Sequence, residues 1–244
     1  MRALSAAELL AVWELASHQS AGQRCLALLA ACSADASPEE LAQLSIGQSD
    51  ARLLSLRERT FGPQLAAIAT CPACGEALEF AVNVADIRSS PPAHTNAQFE
   101  IEREDYAVQF RLPNNIDIST LDPDAVPQNN RQRLLSRCVL AARRAGADVA
   151  AADLPLDVVT AIADRMAEAD PQADVQFALS CPACGHHWAA PFDIGSFLWS
   201  ELDTRAVRLL NDVHTLASAY SWSEADILSM SPIRRQTYLE LLTP

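Results

Sequence analysis

The amino-acid sequence predicts an α+β protein: mostly helical N- and C-terminal parts around a four-cysteine zinc ribbon made of two CPACG knuckles, with an inserted α/β segment between them. Three observations carry this. The pentapeptide CPACG occurs twice, at residues 71–75 and 181–185. Stretches of alternating polarity flank both copies and recur between them. Capped, apolar-periodic helices fill the two ends.

The N-terminal helical region spans residues 1–62. Ser5 and Glu8 have capping-box spacing, with Leu4 and Leu9 placed for the accompanying staple. Ser37-Pro38-Glu39-Glu40 marks a second helix start, with Pro at the first helical position. Residues 21–31 and 50–59 add two apolar-periodic stretches, and Gly62-Pro63 closes the region.

The first ribbon half, 63–88, places strands at 64–70 and 78–84 on either side of Cys71-Pro72-Ala73-Cys74-Gly75. The insert, 89–171, opens with a loop around Pro91, Pro92 and His94. A hairpin follows, of strands 98–102 and 106–112, with its turn at 103–105. Residues 114–130 read as loop, with a turn at Asp122-Pro123-Asp124. The insert ends in two helices, 131–145 and 156–169, the second stopped before Asp170-Pro171.

The second ribbon half is 172–196 and the C-terminal helical region is 197–244. Leu198, Leu202, Ala206, Leu209, Val213, Leu216 and Tyr220 share one helical face. Two short helices start near Ser223 and at Ser231-Pro232.

Aligning Cys71 on Cys181 makes the two halves repeats: Leu78 meets Trp188, Val82 meets Phe192, Val84 meets Ile194. A Cys-x-x-Cys turn aims two thiolates at one ion, and the Gly after it suits a positive φ. Two such turns supply the closed tetrahedral sulfur set of a structural site, so Cys71, Cys74, Cys181 and Cys184 are expected to hold one Zn2+ per chain. The 106 residues between Cys74 and Cys181 are no obstacle. Relative to a spacer of ~15 residues they add roughly 2 kcal/mol of loop-closure cost. Structural zinc binding contributes roughly 10–16 kcal/mol in small peptides.

Two other readings stand beside this one. A redox dithiol is the first, although redox Cys-x-x-Cys motifs open a helix whose N-terminus lowers the thiol pKa, and here strand-like sequence follows both copies. A regulatory or nucleic-acid-binding zinc ribbon is the second, since the last two helices have helix-turn-helix-like spacing. The net charge of −13, with 18 basic residues scattered along the chain, argues against nucleic acid.

The remaining candidates have ordinary explanations. Cys25, Cys32 and Cys138 lie on apolar helical faces as small core residues. Trp13, Trp188, Trp199 and Trp222 read as core or interface anchors. His18, His94 and His214 read as structural or exposed, and His186 and His187 as facing outward or hydrogen-bonding around the metal ligands. Arg143-Arg144 and Arg234-Arg235 are basic spots on solvated faces, the second also a candidate docking surface. No HExxH, phosphate loop or GxSxG is present, so the chain is not expected to be an enzyme. The longest apolar runs are too short to span a bilayer, and Glu8 and Glu14 interrupt the N-terminal one, so no membrane association is expected and the location is expected to be cytoplasmic.

The stretches RERTFGP (57–63), IGSFLWSEL (194–202), HTLASAYSWSEADI (214–227) and RRQTYLELL (234–242), set around the paired CPACG, are similar to a known family. The chain resembles the baseplate (hub) assembly proteins of T-even-type contractile-tailed phages and related extracellular contractile injection systems, best from Cys181 onward. The resemblance implies a small non-enzymatic assembly chaperone or minor component whose partners are other baseplate or tail proteins, in the cytoplasm or on the particle. It assigns no contact residue. The metal expectation rests on the cysteines themselves.

Overall fold

The computed structural model describes residues 2–33, 36–89, 97–122 and 124–242. His94, the Pro91-Pro92 loop and the central Pro123 of the expected turn lie outside them. The architecture is α+β, with eleven α-helices and three small antiparallel sheets among the described residues.

Four helices come first: α1 (Ala6–Ala16), α2 (Ala21–Cys32), α3 (Pro38–Ala42) and α4 (Ile46–Phe61). Their starts are written in local chemistry. Glu8 N donates to Ser5 Oγ at 3.3 Å while Ser5 N donates to Glu8 Oε2 at 2.9 Å, and Ser37 and Glu40 repeat the exchange. Each box meets two amides that the first helical turn leaves without partners. Helix α4 begins earlier than its apolar period suggests, because Ser45 and Gln48 form a further capping box.

The chain then makes the hairpin β1 (Gln64–Thr70) and β2 (Ala77–Asn83), in register from Gln64–Asn83 to Thr70–Ala77. A one-turn helix, α5 (Val84–Ile87), leads into the insert. There β3 (Gln98–Arg103) and β4 (Tyr106–Arg111) form the expected hairpin, followed by α6 (Asn115–Ser119) and α7 (Pro127–Cys138).

Residues 139–145 are not helical, contrary to the sequence expectation. They form β5 (Val139–Arg144), which pairs antiparallel with β4 through a bulge at Gln109/Phe110 and turns into the short β6 (Ala147–Asp148). The stretch is rich in Ala, Arg and Leu, good helix formers, but pairing with an open sheet edge decides its state. The insert therefore holds a four-stranded sheet, β3-β4-β5-β6, rather than a lone hairpin. The expected loop 114–130 contains α6 and the start of α7. Helix α8 (Leu156–Ala169) has the expected bounds.

A second hairpin follows, β7 (Gln176–Ser180) and β8 (His187–Pro191), in register from Gln176–Pro191 to Ser180–His187. Helix α9 (Ile194–Tyr220) runs 27 residues. Helices α10 (Glu224–Ser229) and α11 (Pro232–Glu240) end the chain, with Ser223 and Ser231 as their N-caps.

Three apolar clusters hold these elements. The largest joins α1, α2 and α4 to the first half of α9 through Leu9, Leu28, Leu53, Leu198, Leu202 and Leu209. The N-terminal helices and the first half of α9 thus share one core. The insert has its own, of Val108, Phe110, Ala142, Leu154, Val158 and Ile162. A third gathers Val213, Leu216 and Ile227 under Tyr220, Trp222 and Tyr238. Tyr220 stacks on Trp222 at 4.5 Å, and Tyr238 meets Trp222 edge-on at 4.8 Å.

The insert is further pinned by a buried carboxylate. Asp117 accepts from Arg111 Nη1 at 2.6 Å, Arg111 Nη2 at 3.0 Å, Arg137 Nε at 2.8 Å and Asn114 N at 3.0 Å. Desolvation alone pushes its pKa up, but these donors outweigh it and hold the group below the usual carboxylate range.

Candidate metal centre

The two hairpins end in near-identical turns. Gly75 N donates to Cys71 O at 2.9 Å and Cys71 N to Glu76 O at 2.8 Å; Gly185 N donates to Cys181 O and Cys181 N to His186 O, both at 2.9 Å. Gly75 and Gly185 have φ of +76° and +74°, a left-handed backbone that costs a side chain roughly 1–2 kcal/mol. This is the physical reason for a glycine after each second cysteine.

These turns face each other. Cys71 Sγ lies 3.7 Å from Cys184 Sγ, Cys74 Sγ lies 3.6 Å from Cys181 Sγ, and all four sulfurs fall within 4.8 Å of one another. A disulfide would need about 2.05 Å. Sulfurs bound tetrahedrally at about 2.3 Å from a zinc stand about 3.8 Å apart. Two of the separations match that value, and the four cysteines are close enough to hold a metal ion. Cys71 and Cys181 are buried, while Cys74 and Cys184 sit at the surface.

The sulfurs are electrostatically uneven. Desolvation pushes the Cys71 thiol up, but the amides of Ala73 and Cys74 and the thiols of Cys74 and Cys181 outweigh it and hold it at about 7. The amide of Glu76 pulls Cys74 down, yet the neighbouring thiols of Cys184 and Cys181 push it up to about 12. Crowded thiols cannot all ionise without a compensating charge, which a divalent cation would supply.

An aromatic chain ties the hairpins below the sulfurs. Phe80 of β2 meets Phe177 of β7 at 5.4 Å, Phe177 meets Phe192 at 5.2 Å, and Phe192 meets Phe197 of α9 at 5.5 Å. Each hairpin alternates exposed and half-buried residues, so its inner face is the one presented to this chain.

The other cysteines stay apart from the centre. Burial pushes the Cys25 thiol up to about 12, with Asp193 and Asp50 adding to it, and pushes Cys138 up to about 11. Neither suits a thiolate role. His186 and His187 are exposed, and His186 stacks on Trp188 at 6.1 Å. His18 and His214 are exposed. Trp199 is buried under Arg24, whose guanidinium lies 4.8 Å from the ring centre. Trp13 Nε1 donates to Asp203 Oδ1 at 2.7 Å, bridging α1 and α9.

Sequence reasoning missed the buried ion pair of Arg57 with Glu201 and the grouping of Arg205, Arg208 and Arg235 along one groove. Only the three-residue spacing of Arg205 and Arg208 on a helical pattern hinted at the second.

The chain belongs to the family described as T4 bacteriophage base plate protein, whose model matches residues 5–199. Both CPACG turns and the stretch 57–63 lie inside that match. It ends at Trp199, so the stretches 214–227 and 234–242 lie beyond it, contrary to the expectation that the likeness is best from Cys181 onward. No curated protein and no solved structure matches the chain. Among the described residues no helix is long and apolar enough to cross a membrane.

Proposed function

We propose that the protein is a non-enzymatic baseplate assembly factor or minor baseplate component of a contractile tail or injection system, held together by one structural zinc on Cys71, Cys74, Cys181 and Cys184. One observation carries this reading: four sulfurs from two distant hairpins converge within 4.8 Å of one another, inside a stretch matched to a base plate family. A closed four-thiolate set leaves no open position for substrate or water, so its role is to fix the chain. The two halves of the zinc ribbon, 63–88 and 172–196, then join the helical region 1–62, the insert 89–171 and the C-terminal region 197–244. The partners are other baseplate or tail proteins, met in the cytoplasm or on the particle.

The redox reading has less support, because a strand rather than a helix follows each Cys-x-x-Cys turn. A nucleic-acid role has less still in a chain of net charge −13.

The test is a pull-down of the purified full chain against the hub and baseplate proteins encoded beside it. Retention of at least one of them is the expected result. Recovery of none, with the protein folded and metal-loaded, overturns the assembly reading.

A further inference from the structure

A groove of about 630 Å³ runs along one side of α9, between the start of α1, the end of α4 and the start of α11. Its volume lies in the range of ligand-binding clefts. The apolar lining comes from Leu4, Leu9, Phe61, Phe197 and Leu209, of which Leu9 and Leu209 are buried.

The charged lining is cationic. Glu201 is already engaged by Arg57. Arg205 is half-buried and Arg208 exposed, and among the described residues neither has a hydrogen-bond or ion-pair partner. Arg235, 2% exposed, reaches Asp212 only through Nε at 3.3 Å, and its buried Nη1 has no hydrogen-bond partner. A chain of net charge −13 thus gathers three guanidinium groups along one apolar groove and leaves two of them, and part of the third, without an anion. All 18 basic residues of the chain are arginine, the side chain that takes a carboxylate through two parallel N–H bonds.

We infer that this groove docks a short acidic-apolar peptide segment of a partner protein, its carboxylates on Arg205, Arg208 and Arg235 and its apolar side chains against Phe61, Phe197 and Leu4. The charge pattern selects the occupant. An apolar segment alone would leave the guanidinium groups unpaired on desolvation, and a basic one would be repelled. The lining follows α9 from Phe197 to Leu209, which suits an extended or helical segment laid along the helix.

The inference takes its source of peptide from the base plate reading, but its test does not depend on that reading. Anisotropy of a labelled hexapeptide of alternating leucine and glutamate is measured with the full chain, alongside the same peptide with glutamine for glutamate. Saturable binding is expected, weakened at least tenfold in the glutamine peptide and at least tenfold by Arg205→Glu or Arg208→Glu. Neither of these side chains has a partner in the fold, so circular dichroism is expected to stay unchanged. An Arg208→Lys variant is expected to retain partial binding. Absence of saturable binding, equal binding of the two peptides, or wild-type binding by both charge-reversal variants overturns the proposal. Displacement by an equimolar amount of inorganic phosphate overturns it too, because the groove would then be a free-oxyanion site. A failed pull-down with intact peptide binding counts against the assembly reading alone, and the converse against the groove alone.

Discussion

Arg57 of α4 and Glu201 of α9 form a two-pronged ion pair, Nε to Oε2 at 2.9 Å and Nη2 to Oε1 at 2.7 Å, across 144 positions of sequence. Arg57 Nη1 also donates to Gly62 O at 2.6 Å, and its guanidinium lies 5.9 Å from the ring centre of Phe197. One side chain therefore fastens the end of α4, the entry to the first hairpin and the start of α9.

Loss of one partner of this pair leaves the other poorly solvated. Arg57 is 3% exposed and Glu201 26%. Arg57→Met is expected to lower stability by roughly 2–4 kcal/mol, the lower part of that range reflecting water at Glu201. Arg57→Met combined with Glu201→Leu is expected to recover part of the loss. Urea midpoints at constant slope check both; a double variant no better than the single would contradict the account.

Asp50 of α4 gives the protein a pH dependence of unusual sign. Desolvation, then the charges of Asp193 and Asp170, push its pKa up from 3.8 to about 7. The fold holds the proton more tightly than the unfolded chain does. The stability contributed by the neutral carboxyl is therefore complete below the unfolded value and lost as pH rises through about 7. Asp50→Asn, which keeps the neutral state, is expected to stabilise the protein more at pH 8 than at pH 5, by roughly 1–3 kcal/mol. Denaturation at the two pH values measures this, and equal pH slopes in variant and parent would contradict it.

Metal removal separates the two classes of cysteine. Elemental analysis is expected to find one zinc per chain in the parent and in Cys25→Ser, and none in Cys71→Ser or Cys181→Ser. Chelation is expected to lower the parent's melting temperature by roughly 10 °C or more, and to leave that of Cys181→Ser unchanged. Zinc retained after loss of a buried cysteine would show that the four sulfurs do not act together.

Much of this was legible where a local rule decides the structure. Strand β1 and helix α8 have the bounds that pattern and Pro171 imply, and the boxes at Ser5 and Ser37 start helices as written. The paired CPACG placed four sulfurs together across the whole insert. Non-local effects were not legible. Strand β5 reads as helix until β4 offers it an edge, and α6 needs Asn114 as a cap in a stretch whose Asn, Asp and Pro content signals loop. The early start of α4 was readable from Ser45 and Gln48 but lay outside the apolar period. Arg57 could not be paired with Glu201 from sequence, because nothing local relates two positions that far apart.

Helix α9 begins directly after the second hairpin and ends under the aromatic cluster of Tyr220 and Trp222. At 27 residues it is about 40 Å long, with its first half in the main core and its second half carrying α10 and α11. No break in hydrogen bonding separates the halves. One continuous helix thus joins the last two helices to the hairpin that supplies Cys181 and Cys184, with the main core gripping it in between.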